Sequence, residues 1–287
     1  MAIDVNFFRM LDRFQLAIKK KVHSNYQGLR ESSQFGQGLV FKDYREYVPG
    51  DDTRYLDWKV YARTGKFFIK RFEEERNLML HIIVDASGSM NYGENVTKFD
   101  YASMVGLGFA YMAMSNNEKF IFNTFTETMQ PFRSRKGVNQ LMNIVDYLNK
   151  LDISGKSKFK ESLESYKNYI TSKSLIVIIS DFLYDPEELK EALGRYRKSQ
   201  LFIIQVLDPG ERKLNLHGDL MLEDAELGVK LRTFISRRLA QKYNDKLETH
   251  IAKIKELAES LGGDFLAVTT DTPIYDTFYQ ILKPGRF

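Results

Sequence analysis

The stretch Leu78–Ser89, LMLHIIVDASGS, decides the fold. Up to Val84 it is strand-length, rich in β-branched residues and apolar on both faces. That is how a strand buried between two helical layers reads. It then stops on an acid and two hydroxyls at alternate positions, Asp85, Ser87 and Ser89. In open α/β sheets, ligands sit beyond the carboxyl ends of the strands, near the point where the strand order reverses. Oxygens from these three residues can therefore turn toward one point at that edge.

Further runs of the same character follow: KFIFNTF (119–125), SLIVIIS (174–180), LFIIQVL (201–207) and DFLAVTT (264–270). Between them lie helical patterns at Lys98–Met114, Val138–Leu148, Phe159–Ile170 and Glu187–Tyr196. A longer one, Phe234–Leu261, ends at Gly262-Gly263, a stop signal. Ala102, Gly106, Gly108 and Ala110 in the first helix suit close packing on a sheet. The alternation predicts an α/β domain, a doubly wound, mostly parallel, Rossmann-like sheet over residues 78–287. Leu214–Arg232 breaks it and reads as a β-hairpin insertion near 209–232. Residues 1–77 read as a separate module, a helix followed by a loop-rich stretch that closes on the strand FFIKRFEEE; this module and the hairpin are expected to pack together.

Composition narrows the function. The chain has 287 residues, 43% of them hydrophobic, and a formal net charge of +4, so it is globular and mildly basic. It has no cysteine, which excludes disulfides, thiolate metal sites and a cysteine nucleophile. No stretch approaches the roughly 20 apolar residues of a membrane span, and the N-terminus lacks the order of a signal peptide. A cytoplasmic location is expected. Phe7, Phe8, Leu11, Phe14 and Ile18 recur at helical spacing, as in a helix packed on its own domain.

Asp181 follows the run 174–180 and brings a second carboxylate to the same edge if the strands neighbour. Ser157, just before a helix, can add another hydroxyl. With Asp85, Ser87 and Ser89 this set resembles the metal-ion-dependent adhesion site of the von Willebrand factor A fold. That site's motif is D-x-S-x-S, a distant Thr and a distant Asp. Ser157 stands where the Thr usually is, and Lys158 beside it departs from the pattern, since an ammonium there weakens metal affinity unless it points away. The resemblance implies Mg²⁺ or Mn²⁺ held by oxygen ligands, which hard cations prefer. The cation would keep an open position for an acidic side chain of a protein partner.

A second resemblance is carried by Gly36–Phe41, Asp43–Asp52, Arg54, Asp57-Trp58 and Ala62-Arg63, with Val206–Pro209, Gly218–Leu220, Leu222–Asp224 and Thr270-Asp271…Pro273 later. These are similar to the family called domain of unknown function 58. It implies a prokaryotic, von Willebrand factor A-like protein that works with a MoxR-type AAA+ ATPase in chaperone-like assembly or maturation of other proteins. Read from the residues, Arg45, Arg54 and Arg63 lie among Asp43, Asp51, Asp52 and Asp57, a pattern for Arg–carboxylate pairs that organise a loop. Trp58 is expected as a packing anchor.

His23, His81, His217 and His250 never fall at metal-ligand spacing, and His81 reads as a satisfied core residue. Nucleophile elbow, Walker loop and dinucleotide fingerprint are all missing. A metal-dependent phosphatase of the haloacid dehalogenase type needs a second Asp where Ser87 stands. RNA binding through Arg133–Lys136, Lys156–Lys160 or Arg195–Lys198 is the other alternative, although charge runs on helices are usually solvated faces. The expectation is a non-enzymatic, cation-dependent protein–protein interaction module.

Overall fold

The computed structural model describes residues 40–73, 79–116, 118–132, 138–170, 174–223 and 229–282. They fall into two compact units, residues 40–73 and residues 79–282. The amphipathic segment expected at 7–18 lies outside the described residues. Among the described residues no helix is long and apolar enough to cross a membrane.

In the smaller unit, strands β1 (Val40–Glu46) and β2 (Phe68–Glu73) pair antiparallel, with an irregularity between Phe41 and Asp43. Helix α1 (Trp58–Thr64) lies between them. Asp57 fixes its start by accepting the backbone N–H groups of Lys59 and Val60, and Gly65 ends it at φ +67°. Asp57 also takes the Tyr44 hydroxyl at 2.8 Å and Lys70 at 3.1 Å. The Tyr44 hydrogen bond, above all, holds its carboxyl well below the usual carboxylate range against the effect of burial. Arg45 pairs with Asp51 and Arg54 with Asp52, each at 2.6 Å, so the expected Arg–carboxylate pairing is present. Trp58 is no packing anchor: it is 62% exposed, at the edge of a ring cluster with Tyr61 and Phe67, which stack at 4.4 Å.

The larger unit is built on a six-stranded sheet. Its strands are β3 (Met79–Asp85), β4 (Lys119–Phe125), β5 (Met129–Phe132), β6 (Ser174–Ser180), β7 (Gln200–Leu207) and β10 (Asp264–Thr269). They lie in the order β10-β7-β6-β3-β4-β5, all parallel except β5. Side chains alternate between two cores, which is why the strands read as unbroken apolar runs. Leu80, Ile82 and Val84 face one core with Val177 and Ile204, and Ile83 faces the other with Ile176, Ile178 and Ile203. Helices α2 (Lys98–Ser115), α3 (Val138–Lys150) and α8 (Ile274–Ile281) serve the first core. Helices α4 (Phe159–Tyr166), α5 (Pro186–Gly194) and α7 (Arg237–Ser260) serve the second.

The small residues of α2 do two jobs. Gly106 meets the sheet, where an added Cβ would lie 3.0 Å from Phe122 and 3.2 Å from Ile82. Gly108 meets Phe278 of α8, whose Cζ would lie 2.0 Å from such a Cβ. Of the histidines, His81 is buried and bonds the Tyr166 hydroxyl at 2.6 Å, as the sequence suggests. Burial lowers it to about 4, so it is neutral near pH 7. The insertion between β7 and α7 holds a four-residue helix, α6 (Pro209–Arg212), and a hairpin of β8 (Gly218–Glu223) and β9 (Lys230–Ile235). The β1–β2 and β8–β9 ribbons are separate two-stranded sheets. Strand β9 takes Phe234 and Ile235, so α7 starts later than its apolar pattern, at Arg237, where Ser236 caps the Leu239 N–H.

Candidate functional site

The connection after β3 runs to β4 on one side, and the connection after its other neighbour, β6, runs to β7 on the opposite side. The strand order therefore reverses between β3 and β6. This is the reversal point at which open α/β sheets bind ligands. Asp85 ends β3 and Asp181 directly follows β6, and both are buried. The chain after Asp85 turns because Asp85 Oδ1 accepts the Ser87 N–H at 2.9 Å, and this brings the Ser87 and Ser89 hydroxyls 3.1 Å apart. The loop carrying Ser157 is tied to this turn, since the Gly88 N–H donates to the Gly155 carbonyl at 2.9 Å.

The five residues expected at the site therefore converge, but on unequal terms. Asp85, Ser87 and Ser89 form one contiguous group. Ser157 reaches Asp85 indirectly: its hydroxyl lies 2.6 Å from that of Tyr184, which donates to Asp85 Oδ2 at 2.5 Å. Ser180 donates to the same oxygen at 2.7 Å. Asp181 instead holds Lys98, with Oδ2 at 3.0 Å from Nζ, while its Oδ1 accepts the Leu183 N–H at 3.3 Å. The Lys158 ammonium pairs with Glu127 at 3.3 Å, both side chains more than half exposed.

Burial, reinforced by the nearby charge of Asp181, raises the Asp85 carboxyl to about 6. Burial and then the charges of Asp85 and Asp181 push the Tyr184 hydroxyl well above its ordinary value, so it stays a proton donor. Lys98 completes a second group. Its Nζ also lies 2.9 Å from Glu211 Oε1, and Glu211 is held by accepting the Asp208 N–H through Oε2. Burial acts to lower Lys98, but Asp181 and Glu211 outweigh it and keep its affinity for the proton above the ordinary value.

Among the described residues, no three His, Cys, Asp or Glu side chains gather as a ligand set. The donors at this edge are instead carboxylates and hydroxyls, the oxygen set that suits a hard divalent cation. Asp85 buried beside a like charge fits such an ion, which would relieve their repulsion. Ser157 and Asp181 fit it less directly, because Tyr184 and Lys98 already engage them. A depression of about 160 Å³ beside Ala86 is lined by Thr126, Thr128, Asp152 and Ser154. A larger hollow of about 440 Å³ lies along α7, where Lys242, Asp245, Lys246 and Lys253 line it with His250. His250 Nε2 lies 2.7 Å from the carbonyl of Phe182, a residue held at φ +52°.

Sequence reasoning missed Lys98, Ser180, Tyr184 and Glu211. Lys98 carried a local signal: a lysine at the first position of a largely buried helix opposes the helix dipole. Glu211 also had one, in the pattern D-P-x-E of a capping box.

A family model shows the family, and the comparisons leave activity open. Residues 43–253 match the family described as "Protein of unknown function DUF58". The uncharacterized protein Rv1480 of Mycobacterium tuberculosis is 25% identical over 91% of this chain and 84% of its own. An uncharacterized Mycobacterium avium protein, MAV169, is 27% identical over 55% of this chain and 95% of its own. Among solved structures, the conserved hypothetical protein BatB from Bacteroides thetaiotaomicron covers 71% of this chain and 96% of its own at 12% identity, with a TM-score of 0.43. An aerotolerance-related membrane protein from Bacteroides fragilis covers 71% and 97% at 13% identity, with a TM-score of 0.44. At these scores neither carries anything over to this chain.

Proposed function

Because the chain belongs to the family described as "Protein of unknown function DUF58", whose activity is open, we propose a function from the edge itself: a non-enzymatic, divalent-cation-dependent protein-docking module. The finer fold assignment, von Willebrand factor A-like, is part of the same reading. One observation carries it: the buried Asp85 carboxyl, raised to about 6, beside the Ser87 and Ser89 hydroxyls and a second buried acid. Lys98 offsets Asp181, but the Asp85 charge faces only neutral donors and is costly for folding unless something positive offsets it. The oxygen set favours Mg²⁺ or Mn²⁺.

In this reading the Ser87 and Ser89 hydroxyls, 3.1 Å apart at the strand end, face the ion, and Asp85 sets the negative charge beside them. Ser157 joins them when Tyr184 releases its hydroxyl. A bound divalent cation supplies an open coordination position for a partner's carboxylate. The partner class, a MoxR-type AAA+ ATPase acting with this chain in the cytoplasm, rests on the family resemblance alone. The test is retention of that ATPase on the immobilised chain, in Mg²⁺, in EDTA, and by Asp85→Asn in Mg²⁺. Retention by the wild type in Mg²⁺ and loss in the other two arms is expected; equal retention in all three sinks the reading.

A further inference from the structure

Lys98 bears three handicaps at once. It is a cation at the positive end of helix α2, its side chain is fully buried, and it stands within a site read as binding another cation. A buried ammonium persists when its partners compensate it, and here each proton donor direction that the structure defines ends on a carboxylate: Asp181 at 3.0 Å and Glu211 at 2.9 Å. Glu211 is itself fixed, since its other oxygen closes the capping box of α6. Asp181 is fixed too, by the Leu183 N–H on Oδ1 and by the sheet, where Gln205 donates to its carbonyl at 2.8 Å. The ammonium is thus clamped between two anchored acids, with Asp85 left outside the clamp.

We propose that Lys98 is a built-in counter-cation that sets how strongly this edge takes a divalent cation. It rests on the docking site proposed above and names the residue that tunes it. By holding Asp181 and Glu211, Lys98 leaves Asp85, whose oxygens meet only the neutral Ser87 N–H and the Ser180 and Tyr184 hydroxyls, as the carboxylate here whose charge no ammonium offsets. A pocket with one charge-uncompensated carboxylate binds a divalent cation weakly, and the carboxylate of a docking partner then contributes much of the remaining charge. Cation and partner therefore bind together more tightly than either does alone, a reciprocal coupling.

The experiment measures Mn²⁺ binding to the full chain at pH 7.5, by titration calorimetry and by electron paramagnetic resonance of free Mn²⁺. Wild type, Lys98→Met and Glu211→Gln are compared. Lys98→Met keeps the length and removes the charge, freeing Asp181 and Glu211, and is expected to bind Mn²⁺ at least about tenfold more tightly, near 1.4 kcal/mol. Glu211→Gln leaves Lys98 to neutralise Asp181 alone, and is expected to bind several-fold more weakly than wild type. The opposite signs are the signature, because a purely structural Lys98 would weaken binding in both variants. If Lys98→Met does not fold without the ion, Glu211→Gln decides: wild-type or tighter affinity overturns the proposal. Binding by Lys98→Met but not by wild type supports the counter-cation role and removes cation-dependent docking from the natural protein. Equal binding by the two overturns the role of Lys98 and leaves docking intact. No binding by either overturns both.

Discussion

Replacing Asp85 with Asn should stabilise the protein at neutral pH in the absence of divalent cations. Asp85 is fully buried, and its carboxyl is raised from the usual 3.8 to about 6. An acid whose pKa is higher in the folded state binds its proton more tightly there, so folding loses stability as pH rises through the interval between the two values. The loss begins near pH 4, is complete above about pH 6, and amounts to about 3 kcal/mol at roughly 1.4 kcal/mol per pH unit. Asn carries no charge and escapes it. Its amide oxygen can still accept the Ser87 N–H, while its amide NH₂ must donate to the Ser180 and Tyr184 hydroxyls, which now donate to Asp85. Turning those hydroxyls costs part of the gain, about 1 kcal/mol for a disturbed hydrogen bond, leaving about 2 kcal/mol at pH 7.5. Urea unfolding of both proteins in EDTA, at pH 4.5 and pH 7.5, reads the difference. The advantage of Asn should shrink by more than half at the lower pH. A variant less stable than wild type at pH 7.5, or a difference that ignores pH, would refute the reasoning. Millimolar Mg²⁺ should then narrow the gap by stabilising the wild type alone.

Three further outcomes follow from the packing. Gly108→Ala places a Cβ 2.0 Å from Phe278 Cζ, so it should destabilise by about 1–3 kcal/mol, visible as a lower melting temperature. Trp58→Ala removes a side chain that is 62% exposed and should change stability by less than about 1 kcal/mol; a larger loss in urea unfolding would restore the packing-anchor role. Lys158→Ala should leave Mn²⁺ affinity within about twofold of wild type, because that ammonium faces Glu127; a marked rise would mean that Lys158 reaches the site.

The parallel strands were legible because burial on both faces leaves no polar alternation to dilute the apolar runs. Strand β5 was not: it is short, contains Pro131 and lies at the sheet edge, where a proline costs no ladder bond. The end of the long helix was legible from Gly262, which sits at φ +72°, whereas its start was hidden by the hydrophobic close of β9. At the site, Asp85, Ser87 and Ser89 were readable as a set because one turn positions all three. Tyr184 was hidden because nothing local distinguishes a tyrosine that bridges Asp85 and Ser157 from one that packs on Phe159. Lys98 showed only its mismatch with the helix dipole, and its role stayed hidden because its partners lie 83 and 113 residues along the chain. Trp58 misled for the opposite reason: large rings usually bury, and here α1 turns its ring outward.

The Lys98 clamp also constrains the order in which the protein is made. Asp181 and Glu211 lie 83 and 113 residues beyond Lys98. On the ribosome, helix α2 emerges long before either acid, and a buried place for the ammonium does not yet exist. Docking α2 on β3 and β4 alone would bury an uncompensated charge, so the early strands gain little by closing ahead of β6 and the α6 turn. A nascent chain ending before Glu211 should thus remain open to chaperones and proteases. The core would then close in one late cooperative step, with the clamp as its checkpoint.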